Sequence, residues 1–176
     1  IPTVINLNFE GGGAVGNFSP DDQMPGVPGI NFSAEGADAE IITFVEFPAG
    51  FITMGVNSDD GFRAQSGFID VPETREFLGE FDGGRGAADS TFLINVPEAG
   101  IYPLRVIWMN GGGGANIELF TLKGDGTKVL LNDTANGGLT TYRSIIGPGF
   151  KITEIKRDSA GDVTLRWNST PGTDYA

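Results

Sequence analysis

Residues 101–122 read IYPLRVIWMNGGGGANIELFTL. In the first nine positions Tyr102, Leu104, Val106 and Trp108 recur at every second residue, the period of a strand with one face turned to a core. After Asn110 and four glycines the alternation resumes, with Ile117 and Leu119 opposing Glu118, Phe120 and Leu122. The reading is of two strands separated by a glycine loop.

The same grammar extends outward. Further strand-like runs occupy 3–9, 41–47, 51–57, 61–66, 91–96 and 128–131, and no long window carries a helical period. The 28 Gly and 10 Pro punctuate these runs. "PAG" between 41–47 and 51–57 reads as a hairpin-like turn, and "PEAG" at 97–100 as a similar one before the next strand. The expected fold is all-β: an antiparallel two-sheet sandwich or a distorted, jelly-roll-like barrel. Beyond "GPGF" at 147–150, two amphipathic strands flank a D-S-A-G-D turn. The division expected is therefore 1–146 as one β-sandwich and 147–176 as a linker with either the start of a following β-module or a terminal hairpin of the same domain.

Composition narrows the chemistry. The chain has 176 residues, enough for one full domain, and 39% of them are hydrophobic, too apolar for a disordered polymer. Its net charge of −12 repels phosphate backbones and anionic lipid, so nucleic acid is not an expected partner. Cysteine and histidine are both absent, which removes disulfides, thiolate nucleophiles and imidazole ligands and leaves oxygen donors suited to hard cations such as calcium. No apolar stretch is long enough for a membrane helix. The start "IPTVINLNFE" lacks both an initiator Met and a signal peptide's regions, and reads as a mature or excised piece of a larger protein.

The most pointed motif is "GVNSDDGFRAQSG" at 55–67, with Asp59 and Asp60 adjacent. Three readings stand side by side. The first is a turn in which Asp caps its own backbone and Gly61 supplies a positive φ. The second is a calcium site, for which adjacent carboxylates must point the same way; an extended trans dipeptide splays them apart, whereas a cis Asp59–Asp60 peptide would bring them together. The third is a catalytic carboxylate pair of the glycosidase kind, completed by a distant Glu46, Glu73 or Glu80. The loop at 111–114 bears on the choice, because four ordered glycines suggest a need for close backbone approach and unusual dihedrals.

The two segments "GVNSDDGFRAQSG" and "AGIYPLRVIWMNGGGGANIELF" together resemble the carbohydrate-binding β-sandwich named after the anthrax protective antigen, shared by yeast flocculins, epithelial adhesins and bacterial adhesin lectins. The resemblance spans residues 1 to 146. It implies that Asp59 and Asp60 form a cis carboxylate pair, that Asn110 is an amide ligand, and that carbonyls of Gly112 and Gly114 complete the protein's share of one calcium site. A sugar's neighbouring hydroxyls would finish the shell. The carbohydrate-binding candidates are then Asp59, Asp60, Asn110, Gly113 and Arg85. The chain departs from fungal members in offering only glycines and Ala115 where they carry bulkier contacts.

Other residues have more modest expectations. "GEFDGGRGAADS" at 79–90 places Asp82, Arg85 and Asp89 in a glycine-rich connection, with Arg85 at the rim of the site or simply solvated. Asp21–Asp22 reads as a turn; Trp108 and Trp167 are both rings able to stack on a sugar face, with the parity of Trp108 favouring the core instead. Arg63 is expected to pair with one of the site aspartates. The function expected is non-catalytic, calcium-dependent binding of glycan or monosaccharide ends by a monomeric module, extracellular or at the cell surface. The alternatives are a structural module with a stabilising calcium site and a glycosidase.

Overall fold

The computed structural model describes residues 3–9, 15–25, 36–67, 75–143, 151–157 and 161–168, with the backbone alone at 151–154 and 165–168. In chain order the strands are β1 (Asn6–Asn8), β2 (Asp22–Gln23), β3 (Ala37–Phe47), β4 (Gly50–Asp59), β5 (Phe62–Ser66), β6 (Glu76–Phe81) and β7 (Ala88–Val96). They continue with β8 (Gly100–Asn110), β9 (Asn116–Leu122), β10 (Lys128–Leu130), β11 (Thr141–Tyr142), β12 (Lys151–Arg157) and β13 (Val163–Asn168). The chain divides into two compact units, Ile1–Arg143 and Ser144–Ala176. In the second unit β12 and β13 form an antiparallel pair.

The first unit is a sandwich of two open sheets. One has the order β2-β1-β9-β4-β7 with β10 on β9, and the other β11-β3-β8-β5-β6. All pairings are antiparallel except the short parallel match of β1 with β2. The barrel alternative is not realised, since neither sheet closes on itself. Between the sheets Val45, Leu104, Val106 and Trp108 meet Met54, Val56, Ile117 and Leu119, each at most 1% exposed. The parity read in 101–109 is the parity observed.

The turns at "PAG" and "PEAG" are not hairpins. β3 pairs with β8 from Ala37↔Asn110 to Phe47↔Gly100, while β4 lies in the other sheet between β7 and β9. Turn residues reverse the chain, but hydrogen-bonded partners are chosen by which strand completes a buried face. Most loops of the unit therefore cross from one sheet to the other.

β9 is buried on both faces, although alternation predicts an outer face of Glu118, Phe120 and Leu122. Residues 15–20 lie over that face. Glu118 accepts the backbone N–H of Asn17 (2.8 Å) and of Phe18 (3.0 Å), while the Phe18 ring tilts onto Phe120 at 6.1 Å. Gly16, in the left-handed region at φ 96°, fits because any Cβ would sit 2.5 Å from the Glu118 carboxylate. Burial pushes the Glu118 carboxyl up, with the N–H bonds opposing. A raised folded-state value means the native state holds this proton longer than the unfolded chain, so stability falls as pH climbs through and above the ordinary value of 4.5. Denaturant titrations at a series of pH values should show the stability of the native protein relative to Glu118→Gln declining over that window.

Phe120 explains a second glycine. It pairs with Gly55 across β4 and β9, and a Cβ at position 55 would stand 2.2 Å from its ring. Gly55→Ala is expected to cost about 1–3 kcal/mol in urea unfolding, as overpacking does in a filled interior.

Candidate functional site

Three crossovers meet at one end of the sandwich. The registers Ser58↔Ala88, Asp59↔Asn116, Phe62↔Trp108 and Ala37↔Asn110 align the loops 59–61, 82–87 and 111–115 there. The first carries the aspartates, the second Arg85, the third the glycines.

The Asp59–Asp60 peptide is cis. Asp60 is 8% exposed, and each of its carboxylate oxygens accepts a backbone N–H: Oδ1 from Arg85 (2.7 Å) and Oδ2 from Gly111 (2.8 Å). Asp60 therefore ties the two neighbouring loops to its own. Those N–H bonds, Gly111's first, hold its carboxyl below the usual carboxylate range. Asp59 behaves oppositely. Burial, then the charge of Asp60 and a hydrogen bond shared with it, push the Asp59 carboxyl up, and Arg85 only partly offsets them.

The glycine loop comes tightest to this pair at Gly114, while Gly111 stands at ordinary contact distance. A Cβ on Gly114 would lie 2.9 Å from Asp59 Oδ2, and one on Gly111 3.5 Å from Asp60 Oδ2. Gly113 adopts φ 86° and is exposed, as is Gly114, while Gly112 is half-buried. Asn110 ends β8, 1% exposed, with its Oδ1 3.4 Å from the Gly112 N–H. At Gly61 a Cβ would meet the Phe81 carbonyl at 2.9 Å, so the aspartate turn also depends on a bare backbone.

Arg85 reaches the site differently from a rim contact. Its backbone N–H serves Asp60, while its guanidinium donates to Ser58 O (3.0 Å), Ser58 Oγ (2.7 Å) and Ser90 Oγ (2.9 Å) and stacks 4.2 Å over Phe81. Arg63 is not the partner of the aspartates. It pairs with Glu80 at 2.7 Å, because β5 alternation sends position 63 to the exposed face of its sheet. Glu46 accepts from the Tyr142 hydroxyl at 2.7 Å, and Glu73 lies outside the described residues.

Three roles were hidden from sequence reading. Trp108, in the core as expected, also donates its indole N–H to the Asp59 carbonyl at 3.0 Å; a buried indole needs such a partner, which was the available signal. Ser58, fully buried, donates to the Asp60 carbonyl at 2.7 Å. Asp21, read as half of a turn, is 4% exposed and fastens Asn8 and the Val15 N–H at 2.8 Å each, while Asp22 opens β2. Asp82 is exposed in its loop, and Asp89 lies on β7, bonded to Asn17, Asn57 and Lys128. The side chain of Trp167 lies outside the described ones.

Among the described residues no three acidic side chains converge on one point. A cation held here would draw on the two carboxylates, the Asn110 amide and main-chain oxygens of the glycine loop, all hard donors of the kind calcium takes. The donor set and the loop that bare backbone allows to close on it fit such an ion.

No family model matches the chain, and no curated protein matches it. Among solved structures it is similar to a sugar-binding PA14 domain of an RTX adhesin, at 15% identity and a TM-score of 0.48 over 73% of this chain and 72% of that one. It is also similar to the PA14 domain of the antifreeze protein MpAFP, at 15% identity and a TM-score of 0.50 over 78% of this chain and 71% of that one. The two-sheet sandwich described above is thus the PA14 fold, the architecture of the anthrax-protective-antigen type.

Proposed function

We propose that the chain is a non-catalytic, calcium-dependent glycan-binding module of a secreted or cell-surface protein. The observation that carries this reading is the carboxylate pair turned toward a loop that bonds Asp60 through the Gly111 N–H and has no room for a side chain beside Asp59 at position 114. Asp59, Asp60, Asn110 and carbonyls of the loop, Gly112 and Gly114 among them, would hold the ion. When bound, calcium supplies open coordination positions that vicinal hydroxyls of a sugar can fill in place of water.

Exposed Gly113 and Gly114 leave the approach unobstructed, which suits glycan ends of more than one kind. Few side chains surround that approach, so affinity per module should be weak and adhesion should depend on several modules acting together. The charge of −12 disfavours nucleic acid, and among the described residues no helix is long and apolar enough to cross a membrane. The PA14 structures similar to this chain come from an adhesin and an antifreeze protein, a setting that supports the surface location.

A second reading is a calcium site that only rigidifies loops, and it is favoured by Asp60 already bridging two of them. Calorimetric titration of chelator-treated protein with calcium, followed by a panel of simple monosaccharides, separates the two. Sugar heat that depends on calcium supports the lectin; calcium heat alone, accompanied by a raised melting temperature, moves the assignment to the rigidifying role. Silence in both titrations overturns the metal site altogether.

A further inference from the structure

The aspartate corner is braced from behind by one side chain. Arg85 makes four hydrogen bonds, and three of them go to the residues flanking Asp59: Ser58 O at 3.0 Å, Ser58 Oγ at 2.7 Å and, through the backbone N–H, Asp60 Oδ1 at 2.7 Å. Ser58 passes the constraint on, since its hydroxyl donates to the Asp60 carbonyl at 2.7 Å. Ser90 anchors the guanidinium on β7 at 2.9 Å, and the Phe81 ring lies 4.2 Å beneath it, with Phe62 at 5.8 Å. The planar fork therefore has its direction fixed on several sides.

What the guanidinium leaves alone is equally informative. Its donors go to neutral oxygens of serine and main chain, and neither site carboxylate is taken up in an ion pair with it. An arginine fork on Asp59 or Asp60 would neutralise the acceptor and occupy its lone pairs. Here a positive charge stands close enough to ease the crowding of two carboxylates while Oδ2 of each stays turned to the glycine loop.

We infer that Arg85 is a positioning residue: through Ser58 and its own backbone N–H it presets the Asp59–Asp60 corner for an oxygen-seeking cation, while its guanidinium pairs with neither carboxylate. The inference rests on the calcium reading for its purpose, but the preset corner itself is a property of the metal-free protein. Lysine at 85 would keep the charge and lose the fork. Asparagine or glutamine would lose both.

The test uses the whole chain and two readouts, with Arg85→Lys and Ser58→Ala as separate and combined variants. In chelator, amide hydrogen exchange at Gly111 and at position 85 should quicken by about tenfold or more in Arg85→Lys, while amides of β8 and β9 keep their protection. In calorimetry, at a temperature where every variant is folded, the calcium Kd should weaken about 10–100-fold. The double variant should be no weaker than the worse single one, because both act through one path.

Unchanged exchange at Gly111 and position 85 overturns the inference whatever calcium does. So does an unchanged calcium Kd in Arg85→Lys when the native protein binds the ion, or single-variant effects that simply add. Quickened exchange in a native protein that takes no calcium keeps the preset corner and rejects the metal reading instead. Should Arg85→Lys fail to fold, Ser58→Ala carries both readouts by the same criteria.

Discussion

The Asp59→Ala protein is expected to lose calcium binding, and sugar binding with it, by more than about 100-fold in Kd, yet to be no less stable than the native protein in chelator. Asp60→Ala should lose binding equally and also lose stability. The difference lies in what each carboxylate does before any ion arrives. Asp60 receives the Gly111 and Arg85 N–H groups, and each left without its acceptor costs about 1–3 kcal/mol. Asp59 is crowded by burial and by Asp60, so its removal relieves a like-charge contact. Calorimetry for the ion and urea unfolding in chelator give the two quantities. Equal losses of stability in the two variants would contradict this division, as would sugar binding that survives either substitution.

Trp108→Ala is the largest expected blow to the fold, at about 3–5 kcal/mol in denaturant unfolding, since it empties a 1% exposed position between the sheets. Trp108→Phe separates packing from polarity. It keeps most of the apolar volume but strips the Asp59 carbonyl of its indole donor, and should cost about 1–3 kcal/mol while also weakening calcium binding. A Phe variant with native calcium affinity would show that the indole contributes packing only.

Much of the sandwich was legible from alternation, because a strand with one buried face writes its orientation into every second residue; Leu104, Val106 and Trp108 stand where the period puts them. Partnership was not legible. "PAG" has the composition of a hairpin turn, and only the pairing of β3 with β8 shows that the chain changes sheets there. The short strand β6 escaped notice because Gly79 interrupts its apolar pattern, and the structure shows why glycine is there: a Cβ would stand 2.4 Å from Phe92. The burial of Glu118 was equally hidden, since nothing in a strand's own sequence reveals that residues 15–20 will cover it.

At the site, adjacency and glycine content pointed to Asp59, Asp60 and the 111–114 loop. The partner of the aspartates was misassigned, for a reason of geometry. Arg63 is near in sequence but faces away, while Arg85 is brought in by the pairing of Ala88 with Ser58 on neighbouring strands. Sequence distance measures reach only within one strand or loop.

The pairing of β3 with β8 joins residues 37–47 to 100–110, and β4 must find β9 across a similar interval. Such topology closes its loops late, so chain assembly should be slow on the scale of small domains. The aspartates and the glycine loop come into register only when both sheets have formed. A newly made chain would then offer no binding corner while it is still partly folded, and the ability to capture a ligand would report that folding had finished.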